Sequence, residues 1–488
     1  MDFDTALSKV GELGLAQIVT FILVTSMNFL LAFQQVNLAF IAKEPSFYCT
    51  KPYKAHGDEV CHLEGLCEDI QFGDEFTSIV SEFKLICGES YKTSLVQSIY
   101  MIGVLFGGLI WGPKSDAIGR KKTLMAGVIL LVLTSILSGF TQSYLQFAFL
   151  KFINGAAVGG TGLVIFVYST ENIGASYRVF AGTLVQVVFA LGISGCAGVA
   201  YYVRDWRNLT FITGIPFLFY LPVFWVLPES PRWLASKGKL NQAEALLFKM
   251  ALRNKKEVLR KEIALARPPK EKKKEHQDKA KSVSYLDFFR TPNIRQRMLV
   301  QIFTWFGCSM VYLGLTMGAG DIGSNAYVSV ALSGLAELPA YVACILLLDV
   351  IGRRIMLSGC TILGGLACML LLFIPDNAGS NAEMLQTALA LIGKIGVSAS
   401  FNVVYIYSSE LAPTSARSSA LALCTMSARI GGALAPSVAP YGKYVMFQVF
   451  GLLSLTAGIS SLLLPETLNQ ALPDTIEDIE NYSTKKTQ

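Results

Sequence analysis

Three ionisable residues stand out inside long apolar runs of the chain: Glu337, Lys394 and Arg429. Charge at membrane depth is retained only where it faces a cavity or a partner, so each is a candidate functional residue. Arg and Lys are the side chains that hold carboxylates and sulfates. Two cations against one acid leave a net positive site, which favours an anionic ligand. Gly431 and Gly432 follow Arg429 and let a ligand or a backbone come close. In a competing reading Glu337 pairs internally with one cation, and one cation still remains. Lys151, ahead of Gly155, Gly159 and Gly160, reads as structural or coupling-related. The aromatic residues Tyr201, Tyr220, Tyr312, Tyr327, Tyr341, Phe401 and Tyr405 lie in the same runs or at their ends. Most are expected to pack; a few would line a cavity, where flat faces hold organic ions.

Other chemistry has little to work with. The chain has three histidines, His56, His62 and His276, and none lies in an apolar run. No Gly-x-x-x-x-Gly-Lys-Ser/Thr occurs, so an ATP site is not expected, and movement of a ligand would draw on substrate or ion gradients. No enzyme activity, cofactor, metal or nucleic-acid partner is expected.

The elements that must position these residues follow from composition. Of 488 residues 52% are hydrophobic and 16% are charged, which places the chain in a bilayer. Apolar runs of about 20 residues, the length of one crossing, predict twelve spans: 15–41, 93–113, 123–141, 144–169, 179–202, 209–227, 297–318, 325–348, 355–374, 384–408, 416–440 and 444–464. Lys and Arg gather in 114–122, 228–297 and 353–354, which the positive-inside rule assigns to the cytoplasm. The organisation expected is a cytoplasmic N-terminus 1–14, a six-span half 15–227, a cytoplasmic linker 228–296, a second half 297–464 and a cytoplasmic tail 465–488. No cleavable signal peptide is read at the start. Helical spacing is expected over 240–265 and disorder over 267–284, whose basic run faces either solvent or acidic lipid heads. The acidic loop 42–92 then lies outside. Its Cys49, Cys61, Cys67 and Cys87 predict two disulfides with three pairings open; zinc, with His56 and His62, is the rival. Asn208 and Asn481 are poor glycosylation sites, one against a span and one in the tail.

The chain also repeats itself at an offset of about 235 residues. Asp116-Ala-Ile-Gly-Arg120 returns as Asp349-Val-Ile-Gly-Arg353, Tyr168-Ser-Thr-Glu171 with Arg178 as Tyr407-Ser-Ser-Glu410 with Arg417, and Pro228-Glu-Ser230 as Pro465-Glu-Thr467. Two similar bundles with a site between them near the midplane are implied, with access alternating as one rocks against the other. The Asp and Arg of the repeated turn would bridge neighbouring helices on the cytoplasmic face and gate that movement. Glu171 with Arg178, and Glu410 with Arg417, are expected to act as the same kind of latch.

These residues resemble the major facilitator superfamily and, within it, the organic ion transporters of solute carrier family 22. The resemblance covers nearly the whole chain. It rests on Ser78-Ile-Val-Ser-Glu-Phe-Lys-Leu-Ile-Cys87, Gly112-Pro-Lys-Ser-Asp-Ala-Ile-Gly-Arg-Lys-Lys122, Pro228-Glu-Ser-Pro-Arg-Trp-Leu234, Ser408-Ser-Glu-Leu-Ala-Pro-Thr414 and Pro465-Glu-Thr-Leu468 running on to Leu472-Pro-Asp-Thr-Ile-Glu477. It implies an all-α membrane protein with twelve transmembrane helices in two pseudo-symmetric six-helix bundles. Arg429 and the segment around Lys394 are similar to the anion branch, which implies a polyspecific organic anion carrier of the plasma membrane, exchanging against a dicarboxylate. By the same resemblance Lys394, Arg429, Tyr220 and Tyr327 line the cavity, with Phe401 and Glu337 beside them. The alternatives are a carrier of zwitterions or organic cations such as carnitine, with Glu337 meeting the cationic group, and a membrane receptor or scaffold that has kept the fold.

Overall fold

The computed structural model describes residues 3–51, 55–56, 60–61, 69–265, 288–317, 325–374, 380–413, 417–468, 470 and 479–480. The expectations for 267–284, His62, Cys67, His276 and Asn481 fall outside these residues. So do those for the side chains of His56 and Arg417.

Among the described residues, twelve helices are long and apolar enough to cross a membrane. Spans 1 to 6 are Leu15–Ile41, Cys87–Ile118, Arg120–Gly139, Tyr144–Glu171, Phe180–Tyr202 and Trp206–Val226. Spans 7 to 12 are Pro292–Thr316, Ala326–Ile351, Arg353–Leu371, Asn381–Leu411, Ser419–Val438 and Lys443–Ser461. Each expected run has its helix, with shifted ends. Span 3 starts at Arg120 rather than 123 because a single residue, Gly119, turns the chain between spans 2 and 3. The outward surface is apolar, with Leu145, Phe219, Trp225, Val350 and Phe373 between 75% and 86% exposed, as lipid requires.

The helices are not all continuous. Span 8 breaks at Ala336 into Ala326–Leu335 and Glu337–Ile351. Pro339 accounts for the break, since it lacks an N–H and its ring crowds the carbonyl four residues back. Glu337 thereby opens the second piece, where a helix N-terminus favours a carboxylate. Span 6 tightens into a 3-10 turn over Ile215–Tyr220, with Pro216 at its start.

With twelve crossings both ends of the chain fall on one face, and the cysteine loop lies on the other. The two halves meet tightly at the loop face. Tyr327 of span 8 stacks on Phe40 of span 1 at 5.5 Å and meets Tyr201 of span 5 edge-on at 5.8 Å. Ser194 donates to the Ala331 carbonyl at 2.8 Å, and Ser98 bonds Ser437 at 3.2 Å. One apolar core runs through both halves there, joining Tyr100, Val104 and Ile193 to Val311, Val330 and Phe450. Toward the terminal face each half has its own core. In the second half it holds Trp305, Leu357, Val403 and Cys424. In the first, the helix Phe3–Val10 packs its Ala6, Leu7 and Val10 on Trp233, Leu247 and Ile263 of the segment after span 6.

The loop is not wholly helical. A three-stranded antiparallel sheet forms from β1 (Phe47–Lys51), β2 (Ala55–His56) and β3 (Asp69–Phe72) in the order β2-β1-β3. Cys61 bonds Cys87, and Cys49 is also in a disulfide. Oxidised sulfur offers no thiolate to zinc, so the loop is stapled rather than metallated.

Gly334 of span 8 marks a close approach in the joint: a Cβ there would lie 2.5 Å from the Ser194 hydroxyl and 2.8 Å from the Ala190 carbonyl. Gly334→Leu is expected to wedge the joint open. Tyr327→Cys should then react several-fold faster with a membrane-impermeant thiol reagent than in the parent background; equal rates would show that this contact does not close the face.

Candidate functional site

The break in span 8 sets a carboxylate at membrane depth, and span 10 sets an ammonium opposite it. Glu337 and Lys394 form an ion pair at 2.9 Å with side chains 0% and 1% exposed. Both carboxylate oxygens are used further, since Tyr312 of span 7 donates to one at 2.9 Å and Tyr341 of span 8 to the other at 2.7 Å. The Lys394 ammonium also donates to the Thr316 hydroxyl and lies 3.4 Å from the Tyr312 ring centre. A buried pair survives desolvation only when its remaining donors and acceptors are satisfied in this way. Of the two cations expected in the second half, Lys394 is therefore spent on Glu337. A small pocket lined by Leu315, Ser329, Ser333, Thr387 and Ala390 reaches Lys394.

Tyr312 also opens an aromatic wall. Its ring stacks on Phe401 of span 10 at 5.4 Å. Phe401 meets Tyr405 at 5.6 Å and Trp305 of span 7 at 6.0 Å. Trp305 and Tyr405 are edge to face at 4.3 Å, and the Trp305 ring N–H is fixed by the Ser408 hydroxyl at 2.8 Å. Arg429 of span 11 is half-buried and acts electrostatically on Tyr405 and on Tyr100 of span 2. Among the described residues no carboxylate pairs with it. Gly431 packs against the Phe306 carbonyl and Gly432 against Leu313, so these glycines serve helix packing. Lys151 is a second cation without a described carboxylate, but it is sealed, 1% exposed over the Phe147 ring.

Not every expected cavity residue joins this group. Tyr327 belongs to the joint at the loop face. Tyr220 donates to the Ser26 hydroxyl in the first half at 3.0 Å. Trp305, Thr316 and Tyr100 are additions. Trp305 lies a helical heptad before Tyr312, a spacing that puts both on one helix face; nothing in the sequence singles out Thr316 or Tyr100.

The terminal face carries the repeated motifs as two matching clusters. Arg120 bonds Asp116 at 2.6 Å and Glu171 at 2.8 Å; Arg353 bonds Asp349 at 2.9 Å and Glu410 at 3.2 Å. Gly119 and Gly352 take φ of 109° and 95°, the left-handed region that glycine alone adopts cheaply. A Cβ at either would also strike the carboxylate of Glu229 or Glu466. Glu229 accepts from the Arg120 and Lys121 N–H groups, and Glu466 from those of Arg353 and Arg354. Partial burial pushes the Glu466 carboxyl up, but four backbone N–H groups outweigh it and hold it below its ordinary value. Tyr168 and Tyr407 donate to the Pro228 and Pro465 carbonyls. The expected pairing of Glu171 with Arg178 is corrected. The 3-10 turn Ala175–Tyr177 carries Arg178 away from the end of span 4, and its partner is Asp4 at 2.7 Å. Glu171 turns instead to Arg120, and Glu410 meets Arg353.

Twelve spans in two matching halves, a charged group at membrane depth and paired motifs on one face define a membrane transporter of the major facilitator kind. Residues 20–478 match the family model described as sugar (and other) transporter. The chain belongs to that family and, within it, to solute carrier family 22. It is 37% identical to solute carrier family 22 member 15 of Xenopus tropicalis, over 98% of this chain and 91% of that one. To the organic cation transporter protein of Drosophila melanogaster it is 34% identical, over 99% and 96%. The inward-open xylose transporter of E. coli shares the fold, with a TM-score of 0.70 at 16% identity, covering 96% of this chain and 99% of that one. The protein is thus a transporter rather than an enzyme.

Removing one partner of the buried pair strands the other charge. Glu337→Ala is expected to cost about 3–5 kcal/mol, and Glu337→Leu with Lys394→Met to recover most of it. Thermal unfolding of the purified protein in detergent checks both; equal stability of the single and double variants would contradict the pairing.

Proposed function

We propose that the protein carries small organic anions across the plasma membrane by alternating access, with Arg429 holding the anionic group and Phe401, Tyr405 and Trp305 holding the organic body. The observation that carries this reading is the state of the two cations. Lys394 is neutralised by Glu337, while Arg429 is half-buried with no carboxylate partner among the described residues. Guanidinium and carboxylate match in geometry as well as charge. Exchange against a dicarboxylate would let one site serve both directions.

In this reading the face bearing the termini is cytoplasmic, as the Lys and Arg around Lys114–Lys122 and Arg353–Arg354 favour. Asp116, Arg120 and Glu171, with Asp349, Arg353 and Glu410, gate that face. A duplicated fold with a central site suits rocking of one half on the other.

A second reading is favoured by the aromatic wall. Rings beside Arg429 suit an onium group through cation–π attraction, so a zwitterion could place its carboxylate on Arg429 and its cationic end on Tyr405 and Trp305. Glu337, enclosed by Tyr312, Tyr341 and Lys394, would then take no part in binding. The Drosophila relative is called an organic cation transporter, which keeps this reading open to test.

Uptake of a labelled aryl carboxylate, carnitine and tetraethylammonium into cells expressing the chain separates the readings. The carboxylate is expected to enter and Arg429→Asp to lower its uptake at least tenfold at equal surface abundance. Entry of carnitine with the same sensitivity would select the zwitterion. Entry of tetraethylammonium alone would overturn the anion reading.

A further inference from the structure

The helix Leu240–Arg253 that follows span 6 ends against the entrance of span 1. Asn254 accepts from the Ala16 N–H at 2.9 Å and donates to the Val10 carbonyl at 3.0 Å and to Gln17 at 2.8 Å. A Cβ on Gly14 would lie 2.2 Å from the Asn254 side chain, and one on Gly11 would lie 4.0 Å from Lys256 Cε. These contacts set residues 252–259 at the height of the first turn of span 1. The lipid-facing stripe of that span starts at the same height, with Leu15, Ile18, Val19 and Ile22 exposed at helical spacing.

Two leucines of the segment also face outward. The helix buries Ala243, Leu247, Met250 and Ala251, yet Leu252 is 60% and Leu259 69% exposed. Between them stand Arg253, Lys255 and Lys256, exposed and in no ion pair among the described residues, and Glu257 is the one acid of the run. Lys255 takes a φ of 55°, and the N–H of Lys256 closes the helix on the Ala251 carbonyl at 3.0 Å. Glycine ends a helix in this conformation at lower cost, so the chain keeps a cation where its backbone would favour none.

Apolar side chains interleaved with unpaired cations at the edge of a span suit the boundary between headgroups and acyl chains. Water covers neither leucine, and a neutral surface matches none of the three charges. We propose that residues 252–259 form a docking surface for anionic phospholipid, with Arg253, Lys255 and Lys256 on the headgroup and Leu252 and Leu259 at the start of the acyl region, continuous with the stripe of span 1. The helix Phe3–Val10 packs on the same unit, so bound lipid holds the entrance of the first half against its leaflet. This holds whatever the protein carries.

Thermal unfolding of the purified full-length protein in detergent, with phosphatidylserine or phosphatidylcholine added, tests the surface. Phosphatidylserine is expected to stabilise the wild type at a half-effective concentration about tenfold or more below that of phosphatidylcholine, since each cation near an anionic lipid surface contributes about fivefold. Arg253→Gln, Lys255→Gln and Lys256→Gln together should erase the difference, and Leu252→Ser with Leu259→Ser should weaken the response to both lipids. Lys255→Gly gives a readout that a structural role would not: it should raise the unfolding temperature without lipid, by relieving the backbone, and still weaken the response to phosphatidylserine. Glycerophosphoserine, the headgroup without its chains, should not stabilise; a response equal to that of phosphatidylserine would assign the cations to a soluble anion and overturn lipid docking. Equal effects of the two lipids on the wild type, or a preference for phosphatidylserine that survives loss of all three cations, likewise overturns it.

Discussion

The second half of the molecule depends on how Glu337 and Lys394 neutralise each other away from water. Moving either charge alone into a low-dielectric interior costs several kcal/mol even after relaxation. The two are affordable together because spans 7 and 8 supply Tyr312, Thr316 and Tyr341 to complete their hydrogen bonds. That requirement fixes the facing of three helices at once: span 7 through two residues four apart, span 8 through the break before Glu337, and span 10 through Lys394. The aromatic wall follows from the same facing, since Tyr312 is both a ligand of Glu337 and the ring on which Phe401 stacks. Arg429 stands outside this neutralised pair, with no carboxylate partner among the described residues.

The terminal face solves a different problem twice in the same way. A one-residue turn between spans 2 and 3, or 8 and 9, leaves the N-terminal N–H groups of the following helix without partners. Glu229 and Glu466 cap them, and the left-handed glycine is what lets the carboxylate approach. The Arg that follows the glycine is held by an acid from its own helix pair and another from the end of span 4 or span 10. Ion pair, cap and turn are one cluster in each half.

Much of this was legible in the chain. The twelve spans follow from apolar length, and the repeated motifs mark the clusters because their internal spacing survives in both halves. What could not be read was partnership across helices. Glu171 and Arg178 are seven residues apart and look like a pair, yet a reversal of the chain separates them, while Arg120, distant in sequence, faces Glu171 across the bundle. Lys394 and Glu337 are ionisable residues in different spans, and only their facing says that they cancel. Tyr100 carries no sequence signal at all, being one aromatic among many. The resemblance implied a cavity position for Tyr327, and what the chain alone could not show is that its ring meets Phe40 and Tyr201 of the opposing half.

Each half also ties its last segment to its first. Beyond span 6, Asn254 accepts from the Ala16 N–H at the start of span 1 and donates to the Val10 carbonyl and to Gln17. Beyond span 12, Glu480 accepts from the Asn293 and Ile294 N–H groups at the start of span 7. The residues differ and the distances along the chain differ, but the circuit is the same. A six-helix unit closed on itself in this manner carries no loose end that its neighbour must satisfy. On this face each half thus satisfies the N–H groups at its own entrance, whereas the seam at the other face is made between the halves.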